Sequence, residues 1–217
     1  MSDIFSVLKV RPFLILLTVE FCTLIGIFIV SSLGGSIGLY YVTNNDSNLY
    51  GTISGVAGTV TSLCCLAAVP AITLLSKFTG KRNGLILLSC MGIFGYILMF
   101  FMNDPRCPWL MVGAGTLPQI SVTAFWLLNG SMATDLVDYD ALYNQKHRPA
   151  IFSSIMGWVS KFCIASGMLI SGYLINWTGF DVKLETAQAE GVFFTMRLYM
   201  SLIPAIGLVL AIFALLH

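Results

Sequence analysis

Long apolar stretches alternate with short polar ones along the whole chain. Six of the apolar stretches come close to or exceed the roughly 20 residues that a helix needs to cross a bilayer. The pattern predicts transmembrane helices at about 12–42, 50–76, 84–102, 109–134, 151–178 and 192–216. The residue-by-residue alternation that is typical of a membrane β-barrel does not occur in these stretches. We therefore expect an all-α membrane protein in which residues 1–217 form a single six-helix domain.

The composition supports a membrane protein in contact with lipid. Of the 217 residues, 57% are hydrophobic and only 10% are charged, whereas about 25% are charged in a typical soluble domain. The net charge of +1 gives no indication of a nucleic-acid partner. Five of the six cysteines lie in apolar stretches and only Cys107 lies in a connecting loop. The cysteines therefore predict neither disulfides nor a metal site, and none of the other residues suggests a metal site.

Basic residues are distributed unequally between the two sets of connecting segments. If the N-terminus is cytoplasmic, the cytoplasmic segments carry seven Lys and Arg residues and the opposite segments carry two, Arg106 and Lys183. Because basic residues in short loops favour the cytoplasmic side, this difference predicts that both termini face the cytoplasm. The seven are Lys9, Arg11, Lys77, Lys81, Arg82, Lys146 and Arg148.

The segment between the fourth and fifth predicted helices is rich in charge. Asp135 and Asp138 are three residues apart, so they share one face of a helical backbone. They lie where the fourth span is expected to end, and carboxylates at a helix C-terminus require a compensating cation. We expect ion pairs here that close the cytoplasmic side. The candidate cations are Lys146, Arg148 and the loop residues from Lys77 to Arg82.

Three charged residues lie inside predicted membrane helices. Arg197 comes near the outer end of the sixth span, where we expect it to anchor that helix by reaching to the membrane surface. Lys161 comes about ten residues into the fifth span, or roughly 15 Å from its start, which is close to the middle of a bilayer. A cation at that depth must face protein, water or a counter-ion. Glu20 comes about eight residues into the first span, and it is either a functional acid or a partner for a neighbouring helix. It is the only acid in another span that is available to Lys161.

The charged segment resembles the signature of a transporter family. The sequence D-x-x-D-Y at Asp135, Asp138 and Tyr139, followed by Lys161, is similar to that of the glycoside–pentoside–hexuronide:cation symporters, which include the melibiose permease. The resemblance implies the C-terminal six-helix half of a major facilitator superfamily transporter. It also implies sugar-binding roles for Trp126 and Lys161, with Na⁺ or H⁺ as the coupling ion and no other cofactor. The loop Lys77, Lys81 and Arg82 resembles a cytoplasmic signature of the same superfamily.

Transport therefore fits the sequence better than enzyme catalysis, for which no nucleophile or phosphate-binding loop is evident. The first hypothesis is a half of a sugar:cation symporter in the cell (inner) membrane, with a sugar substrate and either the missing N-terminal half or a second copy as partner. The alternative is a truncated or non-transporting membrane module that keeps the fold for assembly or regulation. Lys161 and Trp126 favour the first hypothesis, whereas Met156 and Gly157, where the family has polar residues, favour the second.

Overall fold

The computed structural model describes residues 7, 10–145, 148–189 and 191–216. Within these residues, six helices are long and apolar enough to cross a membrane. The prediction of an all-α protein with six transmembrane helices is confirmed. The six helices are α1 (Arg11–Ile29), α2 (Ser47–Thr79), α3 (Lys81–Met102), α4 (Thr116–Asn144), α5 (Pro149–Trp177) and α6 (Val192–Leu216).

Short helical pieces extend or connect the long helices. The first span continues beyond α1, so that it reaches from Arg11 to Val42 as predicted. Glycines mark its second part, which is less regular than α1. The pieces are the helix Ser31–Ser36, the π-helix Ile37–Val42, the 3₁₀ turn Pro108–Leu110, the helix Met111–Ala114 and the 3₁₀ turn Val182–Leu184.

The ends of α2 follow from individual residues. The Asp46 side chain caps its start by accepting hydrogen bonds from the backbone N–H groups of Asn48 and Leu49, at 3.0 Å each. Such a cap satisfies donors that the first helical turn leaves free. Gly80, with φ of +83°, then separates α2 from α3. Because a side chain disfavours that backbone conformation, a glycine here allows the chain to reverse tightly.

The fourth helix is longer than the sequence pattern indicates. It was expected to end near residue 134, but α4 continues to Asn144, and Gln145 then adopts a left-handed conformation with φ of +53°. Asp135 and Asp138 therefore lie well inside a helix rather than at its C-terminus, and the expectation based on the helix dipole is wrong. Hydropathy reports where a helix leaves the apolar layer, whereas the backbone of α4 stays helical beyond that point.

Close helix crossings hold α1, α3 and α6 together. At the crossing of α1 and α6, a methyl group added at Gly207 would lie 2.6 Å from the Cys22 carbonyl oxygen, and one at Gly26 would lie 3.4 Å from the Gly207 Cα. A methyl group added at Gly92 of α3 would lie 3.1 Å from the Leu208 side chain of α6. Glycines let membrane helices approach until their backbones touch. These three helices consequently form the packed side of the bundle.

The opposite side of the bundle is formed by α2, α4 and α5, and we call it the open face. Among the described residues of α2, only Ile53 and Ile72 are buried. The glycines on this side have no atom of another residue close to the position of an added methyl group. We define the open face by these glycines, which are Gly51, Gly55, Gly58, Gly115, Gly130, Gly157 and Gly172.

The two ends of the bundle carry different loops. One cavity is lined by residues near the start of α1, the start of α3, the end of α4 and the end of α6, which places the start of α1 and the end of α6 on the same side. We call this side the terminal end. The other side, called the distal end, holds the connections around residues 43–46, 103–108 and 178–191; there, the Asn45 side chain donates a hydrogen bond to Glu185 at 3.0 Å.

Candidate functional site

Glu20 is an acidic residue buried among the packed helices. It lies on α1 with 1% of its surface exposed. The Ser160 hydroxyl on α5 donates a hydrogen bond to Oε1, and the Asn129 side chain on α4, which is also buried, lies beside the carboxylate. The second oxygen, Oε2, is buried without a hydrogen-bond partner in the described structure. Glu20 thus joins three helices at one level of the bundle.

Lys161 lies at the same level as Glu20 but points away from it. It follows Ser160 on α5, about 18 Å from the start of that 29-residue helix, and its side chain is exposed. It makes no ion pair or hydrogen bond with any residue that the structure describes. Within this half Lys161 therefore does not pair with Glu20, the acid that was available to it in another span.

The surroundings of Lys161 distinguish two exposed surfaces on α5. Ser154, Lys161, Ala165 and Met168 recur at helical spacing, so they share a face with the open glycines of α5. The neighbouring face is bulky and apolar. It carries Trp158, Phe162, Leu169, Tyr173 and Trp177, all between 49% and 82% exposed. Lipid chains suit the bulky face, whereas small residues around a lysine suit contact with protein or a polar ligand.

Trp126 lies on the open face of α4. It is 46% exposed, and the edge of its ring contacts Phe125. Because Asn129 is level with Glu20 and only three residues from Trp126, Trp126 and Lys161 are within about one helical turn of the same depth. Gln119 and Thr123 share the face of Trp126. These two line a groove of about 380 Å³ between α2 and α4, together with Thr61 and Ser62.

At the terminal end, Lys81 and Asp135 form the expected kind of ion pair. The Lys81 Nζ is 2.7 Å from Oδ2 and 2.8 Å from Oδ1 of Asp135, and both side chains are substantially exposed. Arg82 and Tyr139 line the adjacent cavity of about 340 Å³. The Tyr139 ring also packs against that of Tyr143, with centroids 4.4 Å apart.

Asp138 and Lys77 are also at the terminal end, and both are exposed. Neither has an ion-pair partner among the described residues, so the pair that we expected for Asp138 is not seen. Lys146, another candidate cation, lies outside the described residues. Of the two acids that were expected to be held by cations, only Asp135 is held.

Arg148 pairs with a different acid from those expected. Its Nη2 donates to Oδ1 of Asp140 at 2.9 Å and its Nε donates to Oδ2 at 3.0 Å, which makes a two-point contact across the turn between α4 and α5. The Asp140 side chain is fully buried and that of Arg148 is 11% exposed. The spacing of eight residues gave no indication of this pair, because it depends on how far α4 continues.

Arg197 ties three helical segments together near the distal end. Its Nη1 donates to the Tyr41 hydroxyl at 3.0 Å, its Nη2 donates to the Phe100 carbonyl oxygen, and the guanidinium lies over the Phe100 ring at 4.8 Å. Although Arg197 was expected to anchor α6 by reaching to the membrane surface, it is half-buried inside the bundle.

Similarity to known proteins agrees with this arrangement. The sequence model of the family described as "MFS/sugar transport protein" matches residues 1–217. The chain belongs to this family. The family is a transporter family, in agreement with an open face that carries Lys161 and Trp126, and it confirms the resemblance to the glycoside–pentoside–hexuronide symporters of the major facilitator superfamily.

Three curated relatives match almost the whole chain. The uncharacterized symporter YnaJ of Bacillus subtilis is 26% identical over 97% of this chain and 44% of its own length. The glucuronide carrier protein homolog of Escherichia coli is 24% identical over 93% and 42%, and the uncharacterized symporter sll1374 of Synechocystis is 23% identical over 94% and 38%. The chain therefore spans less than half the length of each of these relatives, which agrees with half a transporter.

Several contacts in this site could not be read from the sequence. Ser160 and Asn129 are more than 100 residues from Glu20 in the sequence. The sequence around a serine or asparagine in an apolar helix does not indicate which residue it will contact. The sequence shows Asp140 as a third acid in the charged segment, but it gives no reason to expect a different partner for Asp140 than for Asp135 and Asp138. A weak signal was available in Arg148, which directly precedes the proline that starts α5 and is thus fixed close to the end of α4.

Proposed function

We propose that this chain forms the C-terminal half of a secondary active transporter that couples the movement of a sugar to that of Na⁺ or H⁺. The observation that carries the proposal is Lys161, a cation near the middle of a membrane helix that this half leaves uncovered. Exposure of such a charge to lipid costs at least about 2.5–3.5 kcal/mol. A second six-helix half, or a polar ligand between the halves, removes that cost.

The second half packs against the open face. The relatives are more than twice as long as the matched region, so they have room for another six helices. Small residues on α2, α4 and α5 allow such a half to approach closely, and sites between repeated halves near the midplane are the rule for transporters of this kind. A second copy of the chain is the other candidate for this position.

The substrate that best suits this surface is a sugar. The indole of Trp126 offers an apolar plane for the C–H face of a sugar ring, and Gln119, Thr123 and Lys161 offer partners for its hydroxyl groups. The groove of about 380 Å³ that Gln119 and Thr123 line falls within the usual size of small-molecule sites. One relative is named a glucuronide carrier homolog, which supports a glycoside or a sugar acid.

The terminal end faces the cytoplasm in this proposal, and the protein resides in the cell membrane. Lys77, Lys81, Arg82 and Arg148 all lie at that end, in accordance with the preference of basic residues for the cytoplasmic side. The Lys81–Asp135 pair and its neighbours Asp138, Tyr139 and Arg82 then form a cytoplasmic gate. An exposed pair of this kind contributes at most about 1 kcal/mol, which suits an opening and closing contact.

Nothing in the comparisons favours the non-transporting alternative, because the relatives are named symporters and a carrier. Of the two positions where the family has polar residues, Met156 packs against the apolar cluster of Phe13 and Phe152. Gly157 lies on the open face one turn before Lys161, so its lack of a side chain bears on which sugar fits there.

The test of this function is uptake of radiolabelled sugars into membrane vesicles that contain the chain together with its second half, with an imposed Na⁺ or H⁺ gradient. We expect Lys161→Met to reduce gradient-driven uptake by about 100-fold, the loss of roughly two charged hydrogen bonds, without loss of folded protein. Lys183→Met, which removes an exposed lysine of the distal end, is the matched control and should leave uptake unchanged. Wild-type uptake by Lys161→Met would contradict the proposed role of Lys161.

A further inference from the structure

Glu20 is a carboxyl group in the middle of the packed helices whose charge nothing in the described structure balances. It lies nine residues after the start of α1, about 14 Å into the helix, and only 1% of it is exposed. We propose that Glu20 is a binding site for a monovalent cation, H⁺ or Na⁺, within this half of the transporter. The inference rests on the proposed transport function and assigns the coupling ion a place in it.

The first argument is the set of oxygen atoms around the carboxylate. Oε1 accepts a hydrogen bond from Ser160, whereas Oε2 is buried and has no partner in the described residues. The Asn129 side chain reaches the carboxylate through its amide nitrogen, and its own amide oxygen is buried and unpartnered in the described residues. Two buried acceptors without donors are unfavourable. A proton on Glu20, or a Na⁺ ligated by oxygen atoms, removes this deficit because each supplies positive charge to acceptor groups.

The second argument is the absence of a fixed counter-ion in the part of the chain that the structure describes. On α5, the charged neighbour is Lys161, which points outward, and the titratable group that faces Glu20 is the Cys163 thiol. On α1 the nearest titratable group along the helix is the Cys22 thiol, which lies near the thiol of Cys163. Helix α4 contributes the neutral Asn129, and the titratable groups of α6, Arg197 and Tyr199, lie towards the distal end. A buried carboxylate with only neutral neighbours must take up a cation.

The third argument links this site to the open face. Ser160 precedes Lys161 on α5, and Asn129 is one turn from Trp126 on α4. Glu20, in contrast, belongs to the packed side, where α1 meets α6 backbone to backbone. A shift of α4 or α5 that accompanies sugar binding therefore changes the distance of Asn129 or Ser160 from Glu20. Cation affinity and sugar affinity are then coupled, and the coupling must be reciprocal.

Labelling with dicyclohexylcarbodiimide, which modifies protonated carboxyl groups in apolar surroundings, tests the site without any transport assay. In native membrane vesicles we expect the reagent to modify Glu20, as located by peptide mass spectrometry. Modification should fall as the pH rises if the ion is H⁺, or fall on addition of Na⁺ but not of choline if it is Na⁺. Glu20→Gln should abolish this label. Modification of Glu20 that responds neither to pH nor to Na⁺ would overturn the proposal.

Two further variants show whether the neighbouring oxygens take part. Ser160→Ala should shift the half-effective concentration of the ion by about tenfold or more, as expected for a hydrogen bond to a charged group. Ser201→Ala removes another buried hydroxyl, on α6, and should cause no shift. Equal shifts in both variants would show a general loss of packing and would contradict a site at Glu20.

Gradient-driven uptake separates failure of the site from failure of the proposed function. Glu20→Gln should lose accumulation against a sugar gradient but keep exchange of sugar across the membrane. Full accumulation by Glu20→Gln would overturn the cation site and leave the transporter proposal intact. Labelling of Glu20 that responds to the ion, in a wild-type protein that transports no sugar, would support the cation site and overturn the transporter proposal.

Discussion

The buried ion pair at the turn between α4 and α5 differs from the exposed charges of the bundle in what it contributes to stability. Asp140 and Arg148 are buried and form a two-point ion pair within the chain. Lys161 is exposed and has no partner in the described structure, and Lys81 and Asp135 pair in an exposed position. The buried pair therefore supports the fold of this half. The exposed charges stabilise it little and are available for contacts that form and break.

The strongest way to test this difference is to remove one member of the buried pair. Asp140→Asn leaves the Arg148 guanidinium buried beside a neutral side chain of the same size. We expect it to lower the free energy of unfolding by about 3–5 kcal/mol. The measurement is chemical unfolding of the protein in detergent micelles, followed by tryptophan fluorescence. An unfolding curve that matches the wild type would show that the pair is not structural.

Arg197 gives an intermediate case, because it is half-buried and its partners are neutral. Arg197→Met removes the hydrogen bonds to Tyr41 and to the Phe100 carbonyl, so we expect destabilisation of about 1.5–3 kcal/mol. Arg197→Lys keeps the charge but lacks the two separate nitrogens of the planar guanidinium that reach Tyr41 and the Phe100 carbonyl, and should fall between Arg197→Met and the wild type. If Arg197 were only a surface anchor, both variants would unfold like the wild-type protein.

The smallest effect is expected for the exposed pair. Asp135→Asn should change the free energy of unfolding by no more than about 1 kcal/mol, because solvent screens both side chains. It is the counterpart of Asp140→Asn, the same chemical change on the same helix five residues away. The two variants should be unfolded side by side in the same detergent. A larger loss for Asp135→Asn than for Asp140→Asn would reverse our comparison of buried and exposed charge.

The sequence predicted the helices well and their polar contacts poorly, for one physical reason. Burial in lipid requires long apolar stretches, so six spans are visible in the hydropathy pattern. The predicted fourth helix ended too early because Asp135, Asp138 and Asp140 are polar and lower the hydropathy, although the backbone remains helical through them. That error hid the Asp140–Arg148 pair, which forms only if α4 reaches Asn144 and turns at Gln145.

The candidate site was predicted in part. The positions of Glu20, Lys161 and Trp126 within membrane helices could be read from the chain, but the directions of their side chains could not. Direction depends on which face of each helix is packed. For α5 that choice is made by contacts such as Gly167 against Phe28 of α1, and it turns Ser160 towards Glu20 and Lys161 away from it. The roles of these residues in transport remain predictions.

The contact between Gly26 and Gly207 also limits how the bundle can move. The two helix backbones are in contact at this crossing. There is no room for even one methyl group at Gly207, because it would collide with the Cys22 carbonyl oxygen. Because the two backbones touch at this crossing, we expect α1 and α6 to move together as one rigid unit. In the proposed transport cycle, internal rearrangement would then be confined to α2, α4 and α5.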